Sequence, residues 1–150
     1  MKVFEGLEQL EAELGRHVGY SDWMEITQER IDAFADATGD HQWIHVDPAR
    51  AAEGPYGRTI AHGYLTLSLL PALGAEVMEI RGFAMMINYG VDKVRFPAPV
   101  PVGSRIRAGI ELTSLERKSS GVQLNSLVTV EVEGSDRPAV VAETVRMMVE

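Results

Sequence analysis

The run Ile60-Ala61-His62-Gly63-Tyr64-Leu65-Thr66-Leu67-Ser68-Leu69-Leu70-Pro71-Ala72-Leu73-Gly74-Ala75-Glu76-Val77 is apolar nearly all round. A helix without a polar face either crosses a membrane or lies buried inside a protein. A spanning helix needs about 20 largely apolar residues, and this run is interrupted by His62, Gly63, Pro71 and Gly74, with Glu76 near its end. The expectation is therefore a buried core helix. Pro71 should kink or split it, because proline lacks a backbone donor and its ring clashes with the preceding turn.

What buries it must come from the rest of the chain. Downstream, Ile106, Ala108, Ile110 and Leu112 alternate with Arg105, Arg107, Gly109 and Glu111. A longer alternation runs through Val122, Leu124, Ser126, Val128, Val130 and Val132. Period two is the mark of half-buried strands, and Ser119-Ser120-Gly121 between the two suits a hairpin turn. Gly134 to Pro138 makes the next turn, and Ala139 to Val149 the final strand. Pro97, Pro99 and Pro101 read as a rigid extended link that cannot sit mid-sheet. One hydrophobic helix followed by long antiparallel strands defines an α+β class, with the sheet wrapped around the helix. At 150 residues without internal repeat, a single domain over 1–150 is expected.

Upstream, leucines at 7, 10 and 14 among glutamates predict a short helix within residues 1–14, and Gly15 to Met24 a strand. Ile31, Phe34, Ala35 and Thr38 recur three and four apart, predicting a helix over about 28–38. Thr27 is placed to cap its start and Gly39 to stop it. The next stretch, Asp40-His41-Gln42-Trp43-Ile44-His45-Val46-Asp47-Pro48, reads as a loop leaving a rigid helix. Polar side chains on such a loop can converge on a pocket. Asp47 before Pro48 suits the cap of a short helix from Ala49, which runs into a loop by Gly57.

Three motifs occur in order: Asp40 with His45, then His62-Gly63 opening the apolar run, then Asn88-Tyr89-Gly90-Val91-Asp92-Lys93-Val94-Arg95-Phe96-Pro97. In these, from about Thr27 to Val102, the chain resembles the MaoC-like dehydratases. That family includes the (R)-specific enoyl-CoA hydratases, and the branch named after nodulation protein N looks closest. The resemblance implies a hot-dog fold, an antiparallel sheet wrapped around a long central hydrophobic helix, with two copies paired edge to edge as a homodimer. It also implies Asp40, His45 and Gly63 as catalytic residues, and (R)-3-hydroxyacyl thioesters as hydration products. Where the commoner family pattern has Asn-Pro, this chain has Gln42-Trp43, which bears on the pocket wall and chain-length preference more than on catalysis.

The chemistry such a site must perform is definite. Adding water across a 2-enoyl thioester needs a base for water, an acid for C2 and a polarised thioester carbonyl. An imidazole and a tuned carboxylate supply the first two; the residues alone leave open which does which. The start of the buried helix supplies the third, because its first N–H groups have no intrahelical partner. Gly63, without a side chain, allows close approach, and its N–H is the expected oxyanion donor. His62, Asn88 and Tyr89 are candidates for lining the pocket, although His62 near a helix start also suits a bond to backbone. Arg58 and Lys93, with Arg81 and Arg95 behind them, are the cations near the motifs for the polyanionic coenzyme A. His41 is expected to be exposed beside the site.

Composition excludes other classes. A formal charge of −8 and a pI near 5.0 make a poor nucleic-acid binder. With no cysteine there is no disulfide, thiolate nucleophile or thiolate metal site, which fits a reducing cytoplasm. Met1 to Gly6 lacks the apolar run of a signal peptide, so the expected location is cytoplasmic, with no membrane partner. His41 and His45 superficially suit zinc, but Gln42 stands where the glutamate of a zinc peptidase motif belongs, and neither a metal nor another cofactor is expected. An acyl thioesterase and a non-catalytic acyl-thioester binder are the competing functions, since one fold serves several chemistries.

Overall fold

A computed structural model describes residues 1–150. The chain runs β1 (Lys2–Glu5), α1 (Leu7–Ala12), β2 (His17–Tyr20), β3 (Met24–Glu25), α2 (Gln28–Thr38), α3 (Trp43–Val46) and α4 (Pro48–Ala52). It continues with α5 (Gly63–Ser68), α6 (Leu70–Val77), β4 (Met78–Arg81), β5 (Met85–Arg95), β6 (Arg105–Lys118), β7 (Gly121–Val132) and β8 (Val140–Val149). The main sheet has the order β2-β6-β7-β8-β5, with β3 also on β6, and every pairing in it is antiparallel. A small parallel pair, β1 with β4, lies apart.

The apolar run is the core, as its composition requires. Leu65, Leu69, Leu70, Leu73 and Val77 are buried against Ile110, Leu112, Leu124, Val130 and Met148 of the sheet. The run is not one helix. Residues 60–62 are extended: Ile60 bridges Pro101, and the Ala61 N–H donates to the Val100 carbonyl. The helix therefore begins at Gly63, with His62 as its cap residue. It breaks at Leu69, where Pro71 in the first turn of α6 cannot donate to the preceding turn.

Two further departures from the sequence reading have simple causes. The N-terminal segment opens with a strand before its helix, because Phe4 enters the core and β1 finds an edge on β4. The motif from Asn88 to Arg95 belongs to an 11-residue strand exposed at nearly every position, so no burial alternation marked it. The β6–β7 hairpin turns at Ser119-Ser120 as the sequence indicates, and Gly121 is required there: a Cβ would collide with the Met148 carbonyl oxygen.

Candidate active site

The site begins with the ends of α2. Thr27 Oγ1 accepts from the Arg30 N–H at 3.2 Å, and Gly39, at φ 82°, donates to the Ala35 carbonyl at 2.8 Å. Only a residue free of Cβ strain takes that left-handed turn at low cost. It throws the chain out of the helix at Asp40. The segment beyond Asp40 is less a loop than expected, since Trp43–Val46 forms the single turn α3, capped below by Asp47, whose carboxylate accepts from the Arg50 N–H at 3.1 Å.

Gln28 holds this turn in place. Its side-chain amide donates to the His45 carbonyl at 2.8 Å and accepts from the hydroxyl of buried Thr59. Nothing in the sequence marked Gln28 or Thr59, whose roles arise from contacts 17 and 31 residues apart in the chain. Trp43 is held by its own neighbours, with Arg50 over its ring at 4.4 Å and Gly54 against its edge. It does not line the cleft.

His45 is 7% exposed and His62 2%. Their rings stack with centroids 3.8 Å apart and planes 25° from parallel, and Phe34 closes the far side of His62 at 4.9 Å. The His45 Nδ1 lies 2.7 Å from the Ile60 carbonyl. A carbonyl only accepts, so Nδ1 carries the proton and, in the neutral ring, Nε2 keeps the lone pair. Burial pushes the His45 imidazole below its ordinary value, and charge on the stacked His62 would push it the same way. The Ile60 carbonyl and Asp40 oppose this without reversing it.

His62 Nε2 donates to the Asp40 backbone carbonyl at 2.9 Å, which pins the start of the loop onto the helix cap. Its Nδ1 is buried without a partner. Asp40 itself is exposed, its carboxylate accepting from the Gln42 N–H at 3.3 Å. Side-chain polar atoms of Asp40, His45 and His62 lie within 4.8 Å of one another.

Beside it opens a cleft of about 300 Å³ lined by His45, Tyr56, Gly63, Thr66, Phe96 and Val100 among others. Gly63 is the first residue of α5, so its N–H has no partner within that helix. A Cβ there would sit 3.0 Å from the Phe96 ring, so the absence of a side chain keeps this corner open. The geometry thus brings Asp40, His45, His62 and Gly63 together. Of these, His45 and Gly63 line the cleft, and none of the other sequence candidates does. Asn88, Tyr89 and Lys93 lie along β5, Arg58 is exposed on the approach to Thr59, and Arg81 is paired with Glu5 and Glu79. His41 is exposed and paired with Asp36 at 2.9 Å.

A mostly antiparallel sheet around a broken apolar helix, with a histidine and an aspartate at the helix start, defines a hot-dog protein of the hydratase–dehydratase type. A model of the MaoC like domain matches residues 9–134, and the chain belongs to that family. It is 58% identical over 146 residues to 3-hydroxyacyl-thioester dehydratase Z of Mycobacterium tuberculosis, covering 97% of each chain. It is 45% identical to nodulation protein N of Rhizobium leguminosarum bv. viciae, over 95% of this chain and 90% of that one. Among solved structures, the (R)-hydratase from Aeromonas caviae superposes with a TM-score of 0.74 at 28% identity, covering 90% of this chain and 96% of that chain.

Proposed function

We propose that the protein reversibly hydrates trans-2-enoyl thioesters of coenzyme A to (R)-3-hydroxyacyl thioesters, using Asp40 and His45 as its dyad. The relatives are dehydratases and hydratases by name, and the chain is an enzyme of that kind, a hydro-lyase. The observation that carries the finer reading is the His45 ring, buried and held by the Ile60 carbonyl with Nε2 free beside the cleft. In that state Nε2 is a base for water at neutral pH.

In hydration, the water oxygen bonds to C3 while its proton passes to His45 Nε2. The C2–C3 π electrons move onto the thioester oxygen, which receives the Gly63 N–H as oxyanion donor. The enolate collapses by taking a proton at C2 from the dyad, and the sum is one added water. Asp40, whose carboxylate lies within 4.8 Å of the histidine nitrogens, orients the water and balances the imidazolium. His62 positions both, by its stack on His45 and its bond to Asp40.

The same reading includes a homodimer built on β5. This strand pairs only with β8, and it exposes Met85, Met86, Ile87, Tyr89 and Val91. A long free edge with apolar side chains is a template for another strand. No helix is long and apolar enough to cross a membrane; the setting proposed is the cytoplasm.

The test is hydration of crotonyl-CoA, followed by loss of enoyl-thioester absorbance, with product handedness and free thiol measured in the same samples. Conversion to (R)-3-hydroxybutyryl-CoA is expected. Asp40→Asn and His45→Gln should each lower the rate by about 10²–10⁴, the usual weight of general acid–base catalysis. Thiol release without hydration would make the protein a thioesterase. Turnover of no enoyl chain, short or long, would leave an acyl-thioester binder.

A further inference from the structure

The core face of β8 carries one charged residue. Arg146 pairs with Leu124 on one side and Asn88 on the other, and cross-strand partners share a face. Leu124 is fully buried in the core, so Arg146 emerges on the face that covers α6. Its Nη2 lies 3.3 Å from where a Cβ on Gly74 would stand. The guanidinium therefore occupies space that any other residue at 74 would contest. Burial alone pushes its proton affinity below the ordinary value, and no neighbouring carboxylate acts on it. A guanidinium stays charged in such a place and can only donate. The fold has made room for a cation and supplies no anion within the chain.

The cation faces a hollow. This half-open hollow of about 220 Å³ is lined by Arg146, Asn88, Thr144, Ser68, Leu67 and Pro71 among others. Between this hollow and the active-site cleft lies a third hollow that shares lining residues with each. Phe96 lines both the cleft and the next hollow along β5, and Leu67 and Val91 line both that one and the Arg146 hollow. Leu67, Leu70, Pro71 and Val91 give the hollow in front of this fixed positive charge an apolar wall.

We propose that this groove holds the acyl chain and that Arg146 receives a carboxylate at its far end, so that the substrates include thioesters of medium-chain dicarboxylic acids. The proposal rests on the thioester reading of the active site and names the substrate class of that same site. A planar fork of donors matches a carboxylate bidentately, and the apolar wall before it suits methylenes. Asn88, read from the sequence as a substrate-binding residue, then contributes at the distal end of the chain.

Binding separates this inference from the catalytic one. Decanedioyl-CoA and decanoyl-CoA are saturated and cannot be hydrated; their affinities for the intact protein are compared by isothermal titration. The diacid thioester should bind at least about tenfold tighter, the weight of a charge-assisted bond. Arg146→Met should reverse that order, and Arg146→Lys, which keeps the charge, should retain part of it. Turnover is then read with the corresponding 2-enoyl thioesters on the wild-type protein. If wild type hydrates neither, the hydratase reading fails while the binding preference still stands or falls by itself. Equal binding of the two saturated thioesters by wild type overturns the proposal. So does an Arg146→Met protein that sediments as a monomer with its ligand preference intact, because Arg146 would then answer a carboxylate of a second copy.

Discussion

β7 and β5 are nearly the same length and opposite in character. β7 lies between β6 and β8, and its residues alternate between fully and partly buried from end to end. β5 pairs on one side only and is exposed almost throughout, despite two methionines, an isoleucine, a tyrosine and two valines. Every requirement of β7 is met within the chain: hydrogen bonds on both edges and a face buried in the core. β5 leaves an edge and an apolar row unmet, which the proposed second copy would meet. The polypeptide is thus closed at its centre and open along one border, and the groove ending at Arg146 runs beside that border.

The largest consequence concerns stability. Leu124→Ala removes a side chain with no exposed surface, and should cost about 2–5 kcal/mol in urea unfolding. Ile87→Ala on β5, where 43% of the residue is exposed, should change the dilute, monomeric chain by no more than about 0.5 kcal/mol. Equal effects at the two sites would mean that β5 is packed by the chain itself, and the contrast would fall.

A second consequence comes from where β5 looks for its partner. Ile87→Lys places a charge in the middle of the exposed row and should weaken self-association by more than about tenfold, the scale of one lost central contact. Sedimentation velocity at micromolar concentration would show the wild type as a dimer and the variant as a monomer with unchanged circular dichroism. A wild type that sediments as a monomer would end the homodimer reading and leave the edge of β5 for another chain.

The same contrast decides what could be read from the residues alone. The closed parts were legible because burial imprints a period: two in β6 and β7, and an apolar run at the core helix. The caps at Thr27, Gly39 and Asp47 were legible too, since each is a local bond between residues at most four apart. β5 was not, because an edge strand has no buried face to impose alternation. The start of the core helix was misplaced by three residues, because what holds 60–62 extended is a bridge to the segment near Pro101. At the candidate site, the spacing and the resemblance pointed to Asp40, His45 and Gly63, which the fold brings near one another. The His45–His62 stack, the Gln28 and Thr59 braces and the charge of Arg146 on the core face were not. Each depends on chain segments distant in sequence meeting in space, and Arg146 occupies an inward position of a strand whose pattern predicts an apolar residue.

The smallest effect tests the closed and open regions through two histidines four residues apart. His45 is sealed and its folded-state pKa is lowered, first by burial. Such a group favours the folded state fully above its ordinary value of 6.5, and that contribution is lost as pH falls towards and through the folded value. His41 is open to solvent and raised, first by its bond to Asp36. Its contribution has the opposite sign, present below 6.5 and lost as pH rises through the folded value, and screening keeps an exposed pair small. Urea midpoints measured between about pH 7.5 and pH 5 should therefore fall on acidification, with His45→Gln flattening the fall. His41→Gln should leave the fall in place or steepen it slightly, because the opposing contribution is removed. A flattening by His41→Gln instead would place the buried proton site on the outside of the loop, and Asp36, not the Ile60 carbonyl, would be the partner that matters.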